Sequence, residues 1–169
     1  QYTKLKDRLK SFESPNRLLE DVYVQPVGAE IIVIGLGRVG KGAYSSLHSM
    51  VGNKVWGMDA DPTRIRVLKK EGYQAMVGDG EDVDLWENMD LSQIQLILMA
   101  LPSIEDICNI TEQLQHAQYT GKIASIARYE DEIQPLIDAG SDKVFNFFTE
   151  AGTGFAEESL QLLPRHSKP

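Results

Sequence analysis

The chain reads as an α/β domain built on a doubly wound parallel sheet of six strands. Three observations predict this. Short aliphatic runs recur along the sequence, separated by stretches of helical spacing, and they lack the in-out alternation of a sheet with one wet face. The first run, Ile31 to Ile34, meets Gly35-x-Gly37-x-x-Gly40 and then a helical pattern. A carboxylate, Asp59, closes the next run about 20 residues beyond Gly40. Right-handed crossovers between parallel strands then select the Rossmann-like order 3-2-1-4-5-6.

The elements follow in sequence. Residues 1–28 form a charged linker or docking arm, in which Leu5, Leu9 and Phe12 have helical spacing until Ser14-Pro15-Asn16 breaks it. Residues 29–148 form the nucleotide-binding domain. Its first strand is Glu30 to Ile34 and its first helix Val39 to Met50, and its second strand is Lys54 to Met58. Asp61-Pro62 opens the next helix, the aspartate as cap and the proline at the first helical position. That helix carries Ile65, Leu68 and Lys69 and ends before Gly72. Gln74 to Val77 is a third strand, followed by a loop at Gly78-Asp79-Gly80 and a short helix around Leu85 and Trp86. Gln95 to Ala100 is the fourth strand. A capping box, Ser103 with Asp106, opens a helix running to Gln115. Lys122 to Ala127, Asp131 to Ala139 and Lys143 to Phe147 are strand, helix and strand. In residues 149–169 a last helix is expected over Phe155 to Leu163, followed by a frayed tail.

Composition narrows the function. With 169 residues, 42% hydrophobic, the chain can bury a core of ordinary size. A net charge of −8 argues against a nucleic-acid partner, which needs a basic face. The single cysteine, Cys108, permits no intrachain disulfide and fits a reducing compartment. No apolar run reaches the roughly 18 residues of a membrane span, so the chain itself is expected to be soluble.

The chemistry gathers at the carboxyl edge of the sheet. Gly35 permits the tight turn out of the first strand, Gly37 the approach of a phosphate, and Gly40 close packing of helix on sheet. Leu36, Arg38 and Val39 complete this loop. Free amides and the helix dipole there favour an anion, and Arg38 can add a charge-assisted contact. Asp59, with Ala60 beside it, is placed to accept from both ribose hydroxyls, which disfavours a 2′-phosphate. Arg64 is either a solvated helix residue or a holder of that phosphate. Asp79, between Gly78 and Gly80, either faces an adenine amino group or bonds its own backbone. Ala100, Leu101 and Pro102 wall the site across the switch point. Arg128 ends the fifth strand, within reach of a phosphate or of Glu130 or Asp131. No catalytic set is evident: His48, His116 and His166 have no triad partners, Cys108 sits among Ile107 and Ile110, and no spacing fits zinc. The expectation is therefore a binding domain, not an enzyme. The competing reading is the cofactor half of an NAD-dependent oxidoreductase.

The stretches IIVIGLGRVGKG and VWGMDADPTRIRVLKKEGYQAMVGDGED, with an arginine after the fifth strand, resemble the RCK or TrkA N-terminal regulatory domain. The likeness covers Ala29 to Phe147, and spacing and lead-in are most similar to the cytoplasmic domain of Kef-type, glutathione-regulated potassium efflux systems. That resemblance implies an adenine nucleotide, AMP or NAD(H), as ligand and a homodimer through the regulatory domain. It implies a membrane potassium efflux protein, within the same polypeptide, as the partner that nucleotide state controls. It places the domain on the cytoplasmic face of the inner (plasma) membrane. Gly35, Gly37, Arg38 and Gly40 match the family's phosphate loop, Asp59 its ribose acid, Asp79 its adenine-side acid and Arg128 its arginine after the fifth strand. Phe155, Leu160 and Leu163 would face a partner subunit. "G-D-G-E-D" departs from the more usual "G-D-A-T".

Overall fold

A computed structural model describes residues 24–165. The charged arm up to residue 23 and the end of the tail lie outside the described residues. Six parallel strands pair in the order β3-β2-β1-β4-β5-β6, as the sequence predicts. They are β1 (Ile31–Ile34), β2 (Val55–Asp59), β3 (Ala75–Val77), β4 (Leu96–Met99), β5 (Lys122–Ala127) and β6 (Lys143–Asn146). The helices between them are α1 (Arg38–Val51), α2 (Pro62–Lys70), α3 (Val83–Asn88), α4 (Ile104–His116) and α5 (Ile133–Ala139), and α6 (Phe147–Leu160) follows the last strand.

The strands are aliphatic throughout because both faces of the sheet are covered near its centre. Val33 joins Leu36, Tyr44, Val55, Ile65 and Leu68 in a core under α1 and α2. Its neighbours Ile32 and Ile34 point the other way, into a larger core with Met58, Ile97, Ile107, Leu114 and Leu136. This is the period-2 alternation of a strand, hidden in the sequence because both faces are apolar. β1 lies at the switch point, paired with β2 through Ile34 and Met58 and with β4 through Ile34 and Met99.

Two helix boundaries and one cap differ from expectation. α6 begins at Phe147 and ends at Leu160, where a helix over Phe155 to Leu163 was expected. The oxygen of Asn146 accepts from Thr149 N at 3.4 Å, so β6 passes into α6 through one capping residue. Gly152 and Gly154 suggest a break, but a Cβ at either would meet nothing, and the helix carries them, Gly152 exposed and Gly154 half-buried, at about 1 kcal/mol each. The expected helix from Asp131 starts instead as a 3-10 turn, Glu130–Glu132, before α5. Oε1 of Glu132 fixes that turn by accepting from the amides of Arg128 at 2.8 Å and Tyr129 at 3.1 Å. The capping box on α4 is half made. Ser103 Oγ accepts from Asp106 N at 3.2 Å, while the Asp106 carboxyl hydrogen-bonds Glu81.

Candidate functional site

The glycine loop is shaped by two close approaches. Gly35 has φ +90°, a left-handed conformation that disfavours any side chain. A Cβ on Gly40 would collide with the carbonyl oxygen of Gly35, so only glycine lets α1 start this close to the loop. The cap of α1 is Gly37, which offers no side chain to its first amides, and the first turn carries no acid. Asp61, Asp82, Ser103 and Asn146 cap α2, α3, α4 and α6. The start of α1 is thus open to an anion, with open space where a Cβ of Gly37 would stand.

Asp59 ends β2 beside this loop and is 8% exposed. Its Oδ2 accepts from Leu36 N at 2.9 Å and from Arg64 Nη1 at 3.1 Å, and its Oδ1 accepts from Asp61 N at 2.9 Å. Burial pushes this carboxyl up, but the two amides and the guanidinium outweigh it and hold the group below the ordinary aspartate value. Arg64 is therefore neither free in solvent nor turned away from this loop: it is the ion-pair partner of Asp59.

A cavity of about 220 Å³ lies between β1, β2 and β3 and the start of α4. Of the residues predicted from sequence, Gly35, Asp59, Ala60, Gly78, Asp79, Gly80 and Leu101 line it. Asp79 also makes the turn contact, its Oδ1 accepting from Glu81 N at 3.0 Å. Trp86 Nε1 donates to Gly80 O at 2.6 Å and pins the loop from below.

The other predicted residues stand elsewhere. Leu36 contributes its amide to Asp59, but its side chain packs in the core against Gly57. Arg38, Val39 and Ala100 border a separate apolar groove of about 640 Å³, which runs between α1 and strands β4 to β6. Arg128 donates from Nη1 to Pro102 O at 3.4 Å, bridging the ends of β5 and β4 and not pairing with Glu130 or Asp131.

Four lining residues escaped the sequence reading: Ile34, Glu81, Asp106 and Ile110. Glu81 resembled a solvated acid and Asp106 a capping residue. In the fold their carboxyls meet, and the hydrogen bond that protonated Glu81 donates to Asp106 raises Glu81 above its ordinary value. The available signal was position: both follow strands that end on the same sheet edge. Ile110 lies over Gly80, where a Cβ would stand 2.9 Å from its Cδ1, which accounts for glycine where the usual pattern has alanine. Among the described residues no group of three or more His, Cys, Asp or Glu is placed to hold a metal.

Known proteins share this fold. The TrkA-N domain model matches residues 31–147. The chain is 31% identical over 110 residues to the glutathione-regulated potassium-efflux system protein KefC of Cronobacter sakazakii, covering 65% of this chain and 18% of that protein. The chain thus spans about a fifth of the curated relative it matches. Among solved structures, the NAD(P)-binding domain of an exopolyphosphatase-related protein from Archaeoglobus fulgidus superposes with a TM-score of 0.70 at 22% identity, covering 78% of this chain and 97% of that one. The Kef C-terminal domain of Shewanella denitrificans, in its AMP-bound form, gives 0.63 at 21% identity over 79% of this chain and 80% of that one. The chain belongs to the TrkA-N domain family.

Proposed function

We propose that this TrkA-N domain is a nucleotide-sensing regulatory domain of a potassium efflux system, that its ligand is an adenine nucleotide, and that AMP fits the site better than NAD(H). The observation that carries this reading is the pairing of a buried ribose acid, Asp59, with the uncapped start of α1, beside a closed loop at Asp79. A cavity of about 220 Å³ suits an adenosine moiety, below the roughly 300–1,000 Å³ of larger ligand clefts. The nicotinamide half of NAD(H) would extend beyond it, over Ala100 to Pro102. Relatedness to KefC supports potassium efflux as the process and a cytoplasmic position beneath a membrane protein of the same polypeptide. Among the described residues no helix is long and apolar enough to cross a membrane.

The domain works by binding and not by turnover. Burial and the Glu112 carboxylate push the Cys108 thiol up, the opposite of an activated nucleophile. It also pairs with a second copy. α6 buries none of its residues, and Phe148, Phe155 and Leu160 are exposed on it, with Leu162 and Leu163 just beyond. The apolar groove between α1 and β4 to β6 offers a matching surface. Nucleotide must favour one dimer arrangement over another for the membrane partner to read it.

Thermal unfolding with AMP, ADP, ATP, NAD⁺, NADH and NADPH tests the reading. Ligand at a hundred times its dissociation constant adds about 2.7 kcal/mol, a rise of roughly 5–10 °C at this size. AMP or NAD(H) should raise the midpoint and NADPH should not. If no nucleotide shifts it, and mass spectrometry of the denatured protein finds none retained, the reading fails.

A further inference from the structure

The ribose acid already has partners. An ionised carboxylate offers about four lone-pair positions. Asp59 fills three of them, with Leu36 N, Asp61 N and Arg64 Nη1. A ribose brings two hydroxyl donors to one vacant position. Two of the occupants cannot leave, because Leu36 N belongs to the glycine loop and Asp61 N to the turn that caps α2. Arg64 is the movable one. It is held to the site by a side-chain contact, and its side chain is 47% exposed against 9% for Asp59.

From this geometry we propose that Arg64 is a built-in competitor of the ribose hydroxyls: its ion pair with Asp59 and full engagement of both hydroxyls exclude each other, so that Arg64 sets nucleotide affinity from within the site. The inference rests on the nucleotide reading above. The empty site keeps its buried carboxylate paired, and ligand must release the guanidinium to water. Arg64 stands in the first turn of α2, so its release also marks that helix as the element that registers occupancy.

The test is isothermal titration of AMP and 2′-deoxy-AMP into the wild-type chain and Arg64→Met. A half-exposed ion pair is worth about 0.2–1 kcal/mol, so Arg64→Met should bind AMP about 1.4- to 5-fold more tightly. The preference for AMP over 2′-deoxy-AMP should widen in the variant, because the 2′-hydroxyl no longer displaces a donor. Arg64→Lys, which retains the charge without the planar fork, should fall between them and guards against a folding defect in the methionine variant. Unchanged or weaker AMP binding by Arg64→Met, with wild-type binding intact, overturns this inference and leaves the nucleotide reading standing. No binding of AMP by wild type or variant brings down both.

Discussion

The two halves of the sheet are finished differently. Around β1 to β3 the chain completes its own structure: α1 and α2 roof one face with Tyr44, Ile65 and Leu68, α3 closes the other with Leu85 and Trp86, and the Asp59 carboxylate is enclosed by backbone amides. Around β4 to β6 only one face is closed, by α4 and α5 through Ile107, Leu114 and Leu136. The opposite face ends in a groove where Leu98, Ile126 and Phe145 stand, and α6 presents its phenylalanines to solvent. The first half is a closed cradle of loops and amides, where backbone placement is everything. The second leaves an apolar face uncovered among the described residues.

Substitutions should separate the halves. The largest effect is expected in the cradle, at Gly40→Val. Its Cβ would strike the Gly35 carbonyl oxygen, and neither backbone can yield. Circular dichroism should record a loss of about 3 kcal/mol, a fall in midpoint of about 6–12 °C. Next is Asp59→Ala, which strands the amides of Leu36 and Asp61 at about 1–3 kcal/mol and should weaken adenine nucleotide binding. Its pH dependence has a definite sign. Because the folded pKa is depressed, the contribution of Asp59 is fully present above the ordinary value of 3.8 and is lost as pH falls below it. The stability gap between wild type and Asp59→Ala should therefore narrow in acid below that value. Unchanged nucleotide affinity in Asp59→Ala would remove Asp59 from the site.

A third substitution probes the half-open half. Ser125 and Ser141 share a buried hydroxyl hydrogen bond of 2.6 Å between β5 and the loop that leads from α5 to β6. Ser125→Ala should cost about 1 kcal/mol in urea unfolding and leave nucleotide binding untouched. The smallest effect on the isolated fold is expected at Phe155→Ser. Phe155 is 77% exposed, so chemical denaturation at low protein concentration should change by no more than about 0.5 kcal/mol. Sedimentation should nevertheless show weaker self-association. If Phe155→Ser destabilised the monomer as much as Ser125→Ala, the contrast between the halves would collapse.

Most of the cradle could be read from residue order alone. Gly35, Gly40, Asp59 and the Asp61-Pro62 cap are local requirements, each dictated by one turn or one helix end, and each stands where the sequence puts it. Contacts that depend on three-dimensional geometry were not legible. That Arg64 pairs with Asp59 depends on the turn geometry bringing two residues of one short segment together. That Glu81 meets Asp106 depends on β3 and β4 ending on one edge. The glycine at position 80 was visible, but its reason was not, because Ile110, 30 residues on in the sequence, packs over it only in the fold. At α6 a local signal was present and outweighed: Asn146 is a cap, but the glycines after it suggest a loop when exposed helix tolerates them.

The direct passage from β6 to α6 has a mechanical consequence. Asn146, the last residue of β6, is also the cap of a helix of 14 residues, about 21 Å long. With no flexible joint between them, a tilt of about 10° at the sheet edge would swing the far end of α6 by about 4 Å. The strand edge and the helix together form a pointer, in which a small rotation at the root becomes a displacement of about two-thirds of a helical turn at Leu160.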